Sequence, residues 1–127
     1  MYHEISLSDI ETLIQQQAKV NVHIQQQEKN HLLVHYGVEM KVELIEAFDD
    51  ALLFHYELGS IAKLVSKGAA KMLGNNIRTK KLNWDTEQQQ IRLNLAVFGK
   101  FKPLFQNHKI QAAIIEDNKV KLHMVAK

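Results

Sequence analysis

Apolar side chains recur along this chain with two periods, and the switches between them divide it into elements. Over residues 60–73, Ser-Ile-Ala-Lys-Leu-Val-Ser-Lys-Gly-Ala-Ala-Lys-Met-Leu, apolar or small residues fall at Ile61, Leu64, Val65, Gly68, Ala69, Met72 and Leu73. That is the i, i+3, i+4, i+7 spacing of one face of an α-helix. Ser60 is placed to cap its N-terminus and Gly74 to close its C-terminus. Each large apolar side chain on this face gains about 1.5–3 kcal/mol on burial, so the helix needs a sheet to lie on. The opposite face carries Lys63, Lys67 and Lys71 with no acidic residue among them. The three read as a solvated face, with an anion or lipid-headgroup contact as the sharper alternative.

A second helix is expected from about Leu7 to Gln17, with Ile10, Leu13, Ile14 and Ala18 on one face. Ser8-Asp9-Ile10-Glu11 fits a capping box, and Ser6 is the rival cap, with Ile5 and Ile10 then forming a hydrophobic staple. Elsewhere the period is two. Val20, Val22 and Ile24 alternate with polar residues, and the phase over Leu32, Val34, Tyr36, Val38, Met40, Val42 and Leu44 never slips. Residues 31–46 therefore read as one long strand bent at Gly37. A turn at Phe48-Asp49-Asp50 leads into Leu52, Phe54, Tyr56 and Leu58. With that hairpin centred on residue 48, Leu44 faces Leu52, Val42 faces Phe54 and Met40 faces Tyr56. After the central helix, 77–84 is β-like and 85–88 a turn. Ile91, Leu93, Leu95 and Val97 alternate, and 99–107, with the only proline, is irregular or briefly helical. Ile110, Ala112 and Ile114 form a strand, Glu116-Asp117-Asn118 a tight turn, and Val120, Leu122 and Met124 the last strand.

These elements predict an α+β domain: a strongly bent antiparallel sheet of about seven strands with two main helices on its concave face. The order helix-then-strands occurs twice, over halves of about 1–58 and 59–127, within a single domain of 127 residues. The predicted core is Ile10, Leu13, Ile14, Val22, Val34, Val38, Met40, Val42, Phe54, Tyr56, Leu64, Val65, Met72, Leu93, Leu95, Ile114 and Leu122. Long bent strands wrapped over an amphipathic helix resemble, in outline, the tubular lipid-binding (TULIP-like) domains. That resemblance is one of element order, covers most of the chain and involves no motif residue. It implies an apolar ligand held between helix and sheet.

Composition narrows the chemistry. Hydrophobic residues make up 46% and charged residues 24%, globular values. The net charge of +2 is too small to point to nucleic acid by itself. With no cysteine, thiolate nucleophiles, thiolate metal sites and disulfides are excluded. The N-terminus lacks the basic start and apolar core of a signal peptide, and no apolar run exceeds four residues, so a cytoplasmic protein without a transmembrane segment is expected.

Seven histidines invite a metal reading. His31 and His35, four apart on a strand, lie roughly 13 Å from each other, too far to share an ion. His23 can face one of them, giving two ligands and no third at a telling spacing. No metal and no cofactor is expected. Asp49 and Asp50 fit a turn, and Glu39 and Glu57 would face each other in the register above. Arg78, Lys80 and Lys81 beside Trp84 mix cations with an aromatic, as nucleic-acid binders do, yet a lone Trp also serves as a core plug. No residues fill the roles of nucleophile, base and oxyanion donor, so no catalytic residue and no enzyme is expected.

Three functions follow as expectations. The first is a non-enzymatic module binding a lipid or other hydrophobic small molecule in a groove lined by Leu64, Val65, Met72, Met40, Phe54 and Tyr56, with Lys63, Lys67 and Lys71 for an anion. The second is a homodimeric interaction or structural protein. The third is weak nucleic-acid binding through Lys63, Lys67, Lys71, Arg78, Lys80 and Lys81.

Overall fold

The computed structural model describes residues 1–17, 21–36, 38–58, 81–85 and 87–127. The expected central helix, with Leu64, Val65, Met72, Lys63, Lys67 and Lys71, lies outside the described residues, as do Ala18, Arg78 and Lys80.

The described chain is mostly antiparallel sheet with short helices. Its elements are β1 (Tyr2–Ser6), α1 (Leu7–Gln17), β2 (His23–Glu28), β3 (His31–Tyr36), β4 (Val38–Ala47), β5 (Ala51–Leu58), β6 (Leu82–Asp85), β7 (Gln90–Asn94), α2 (Lys102–Asn107), β8 (His108–Glu116) and β9 (Lys119–Ala126). Two short 3-10 turns, Leu95–Val97 and Gly99–Phe101, precede α2. In place of one sheet of about seven strands there are two, a three-stranded sheet in the order β1-β9-β8 and a six-stranded sheet in the order β2-β3-β4-β5-β7-β6. Their apolar faces share one core with α1.

α1 has the expected bounds, and its cap decides between the two candidates. The Ser6 hydroxyl accepts the Asp9 backbone N–H at 3.0 Å, so Ser6 is the cap, with Ile5 and Ile10 both buried beside it. Ile10 and Ile14 are buried, while the far side of the helix reaches β2. There the Glu11 carboxylate accepts the Ile24 N–H at 2.9 Å, and Gln15 donates to the Val22 carbonyl at 2.7 Å. Helix side chains thereby occupy backbone groups on the outer edge of the six-stranded sheet, where another chain would otherwise pair.

Residues 31–46 are not one strand. They form two, β3 and β4, paired antiparallel with Leu32 opposite Val42, Val34 opposite Met40 and His35 opposite Glu39. A hairpin centred on position 37 places residue 37+k opposite 37−k, and the two always share parity. The alternation therefore runs through the reversal without a slip, and periodicity is blind to it.

The β4–β5 hairpin is displaced by two residues from the expected register. Met40 faces Leu58, Val42 faces Tyr56 and Leu44 faces Phe54. The turn closes by a hydrogen bond from Phe48 N–H to the Ala51 carbonyl, 2.8 Å, and the extra residue between Leu44 and Glu46 is a bulge at Ile45. A shift of two keeps every side chain on its face, so Met40, Leu52, Phe54 and Tyr56 are buried as expected, while Ile45 is pushed out and is 46% exposed.

A second bulge, between Ile110 and Ala112, reverses the parity of β8. Ile115 is fully buried, and Ile114, expected in the core, is only half-buried. β9 has no such break, and Val120, Leu122 and Met124 are all buried. Asp117 and Asn118, with φ of 55° and 58°, make the two-residue turn between these strands.

One residue clasps the two sheets together. Asn30, at φ 63°, donates its N–H to the Ile115 carbonyl (2.8 Å) and accepts the Ile115 N–H on its Oδ1 (2.7 Å). Its own carbonyl accepts the Leu44 N–H at 2.9 Å. Gln26 adds a bond from Nε2 to the Ile115 carbonyl (3.2 Å) and accepts the Asn118 N–H on Oε1 (2.5 Å). At the other end of β8, Ile110 donates to the Asp49 carbonyl at 2.8 Å. β8 thus runs beside the part of β4 that extends beyond its pairing with β3.

Candidate functional site

A cavity of about 70 Å³ lies in the core between α1 and the two sheets. Ile10 and Ile14 come from α1, Val34 and Val42 from β3 and β4, and Phe54 and Trp84 from β5 and β6. Ile115 and Val120 line it from the three-stranded sheet. These are the inward positions of each strand, so the cavity follows from the same alternation that builds the core. All the described side chains that line it are hydrocarbon or aromatic. None of them can take or give a proton or hold a metal ion.

Of the six expected groove residues, Phe54 lines this cavity. Met40 and Tyr56 are buried beside it, and Leu64, Val65 and Met72 lie outside the described residues. Tyr56 packs edge-on against Trp84, with ring centroids 5.1 Å apart. Among the lining residues outside the expected groove, Ile115 is hidden from the sequence by the parity change in β8. Leu32, Ile91 and Val120 share the inward phase of their strands and could have been included on that ground alone.

Burial raises the Tyr56 phenol above its ordinary value; a hydrogen bond with the Trp84 side chain opposes this, and the Asp85 carboxylate adds to the rise. The unfolded chain, with its phenol at about 10, therefore loses this proton first as the pH climbs. The stability the neutral phenol contributes is complete below that pH and is lost as pH rises through the folded value. Tyr56→Phe should flatten the fall of Tm above about pH 10, measured by circular dichroism across an alkaline series. At neutral pH the same change should remove about 1 kcal/mol, the worth of one hydrogen bond. An unchanged alkaline limb would show that another group governs it.

The expected nucleic-acid patch loses its aromatic. Trp84 is 4% exposed and packed in the core, so its ring presents no face for a base to stack on. Lys81 is half-buried and has an interaction partner.

The polar face of the six-stranded sheet carries histidines and glutamates in cross-strand pairs. His23 faces His35, as the strand reading allowed, and His35 also faces Glu39. Glu39 and Glu57 do not meet, because the two-residue register shift puts Glu57 opposite Lys41 and Glu43 opposite His55. Asp49 and Asp50 occupy the β4–β5 turn as expected, with Asp50 3.8 Å from Arg92. The Arg92 guanidinium in turn lies 4.6 Å from the centroid of the Phe48 ring. No helix among the described residues is long and apolar enough to cross a membrane. Comparison with protein-family models, with curated proteins and with solved structures finds no match, the tubular lipid-binding domains included.

Proposed function

We propose that this chain is a non-enzymatic binding module that takes a small apolar ligand, or the end of a longer one, into its core cavity. The observation that supports this reading is a cavity whose described lining side chains are all apolar, at the junction of α1 with both sheets. Apolar cavities of this kind stay dry, so a hydrocarbon group entering one displaces no bound water and gains dispersion contacts.

The size of the cavity limits the ligand. At about 70 Å³ it has about half the volume of an engineered 150 Å³ cavity that takes up benzene. A few carbons fit and a whole fatty acid does not, so a lipid would enter tail first.

Native mass spectrometry of protein purified without detergent, followed by methyl NMR during titration with C6 to C12 fatty acids, tests the reading. Retained mass, or saturable shifts confined to the methyls of Ile10, Val34 and Ile115, is the expected result. A variant with Val34→Ile and Val42→Ile should lose that response while gaining up to about 0.8 kcal/mol of stability per added methylene that fits. A bare polypeptide mass and no saturable shift would leave the cavity as a packing defect. The same mass spectrum reports whether the chain travels as one copy or two.

A further inference from the structure

The outward face of the six-stranded sheet holds chemistry that the apolar cavity does not use. Four histidine–glutamate pairs lie on or beside it: His23–Glu11 at 3.4 Å, His31–Glu43 at 3.8 Å, His35–Glu39 at 3.9 Å and His55–Glu57 at 3.7 Å. Among the described residues no three such side chains already converge as a formed metal centre. One row nevertheless places three potential ligands side by side in cross-strand register.

That row is His31, Glu43 and His55. It crosses three adjacent strands in direct register, with Glu43 opposite His31 on one side and His55 on the other. All three side chains lie on the polar face. An ion above Glu43 would sit one strand spacing, about 4.8 Å, to the side of each histidine backbone. An imidazole is long enough to cover that offset.

His31 is already held as a ligand would be. Its Nδ1 lies 2.9 Å from the Lys29 carbonyl, which can only accept, so in the uncharged ring the proton sits on Nδ1. Nε2 then turns a lone pair toward Glu43 Oε1 at 3.8 Å. Metal-binding histidines are oriented this way, with the far ring N–H on a backbone carbonyl or carboxylate. A lone pair and a carboxylate oxygen facing each other repel, and a cation between them reverses the sign.

We propose that His31, Glu43 and His55 form a surface site for a divalent transition-metal ion of the zinc, copper and nickel class. Nε2 of both rings and one Glu43 oxygen are its ligands, and water completes the shell. His55 now leans toward Glu57 at 3.7 Å with its side chain 36% exposed, and binding requires its ring to turn to Glu43. Two nitrogens among three donors favour this class over magnesium or calcium, which take oxygen. Glu57, two residues from His55 on the same face, adds negative charge. Lys41, opposite Glu57, is a cation that opposes binding.

Titration of the intact chain with ZnCl2, followed by calorimetry and by the imidazole ring signals in NMR, tests the site. One ion should bind, shifting the His31 and His55 rings, and millimolar Mg²⁺ should not compete. His31→Ala, His55→Ala and Glu43→Gln should each weaken binding by roughly tenfold or more, since even loss of an outer-shell partner costs 10–100-fold. His23→Ala and His35→Ala should leave it unchanged. All five positions are exposed or half-exposed, so the variants should keep the wild-type circular dichroism. Absence of zinc binding, binding indifferent to His31 and His55, or binding lost with His35 instead, would each overturn the proposal. The cavity reading stands or falls separately, since no ligand of this site lines the cavity.

Discussion

Ile115→Ala should lower stability by about 2–5 kcal/mol, whereas Ile114→Ala, one residue away, should cost less than about 1 kcal/mol. Ile115 is fully buried at the junction of both sheets, and truncating it removes apolar contacts and leaves a void. Ile114 is half-buried on the opposite face of β8. Simple alternation from Ile110 through Ala112 to Ile114 predicts the reverse order, so the pair of variants reads out the bulge directly. Urea denaturation of both, with the slope compared as well as the midpoint, decides it. Equal losses, or a larger loss at 114, would place β8 in the unbulged register. Because Ile115 also lines the cavity, Ile115→Ala should enlarge it, and any fatty-acid response seen in the wild type should strengthen.

Asn30→Ala should cost about 2–4 kcal/mol, an unusually large loss for a hairpin-turn residue. Two effects add. Removing Oδ1 leaves the Ile115 N–H, buried within the fold, without its acceptor, a penalty of about 1–3 kcal/mol. Alanine at φ 63° adds about 1 kcal/mol of left-handed strain. Asn30→Gly separates them: glycine accepts the backbone geometry but supplies no acceptor, so it should recover about 1 kcal/mol of the loss. Asn30→Asp, which keeps the acceptor, should lie nearer the wild type than either. Thermal melts of the three variants give the order. If glycine is as stable as asparagine, the Oδ1 bond contributes nothing and only the backbone part of the clasp and the turn geometry matter.

The inward faces of most strands are legible in the sequence because each keeps one parity over the residues that face the core. Val34, Met40, Val42, Phe54, Tyr56, Leu93 and Leu122 are buried as expected. What alternation does not carry is anything that leaves parity unchanged or alters it by insertion. The reversal between β3 and β4 preserves parity, and so does the two-residue shift in the β4–β5 hairpin. The bulge in β8 changes parity without any glycine or proline to mark it. The two-sheet division escaped for a related reason: β1 precedes α1 as only five residues, Tyr2–Ser6, and its partner lies at the other end of the chain. Phe98, Phe101 and Phe105, all buried, went unassigned because the 3-10 turns and α2 are each too short to show a period. Of the expected groove, the half contributed by the strands, Met40, Phe54 and Tyr56, is buried in or beside the cavity. The histidine–glutamate row was out of reach, since it depends on which residue of β5 stands opposite Glu43.

β9 sits between β1 and β8, and Tyr2 pairs with His123. The order of synthesis therefore runs against the order of assembly. On a ribosome adding 5–20 residues per second, the first strand waits on the order of ten seconds for the residues that will flank it. During that wait Ile5 and Leu7 have no wall to rest on, and the three-stranded layer cannot begin. Contacts that span so much of the chain make folding slow, in the millisecond-to-second range of non-local β topologies, rather than the microseconds of helical bundles. A chain released even a few residues short of Val120 would lose the middle strand of that layer and, with it, the lodging of its own first strand.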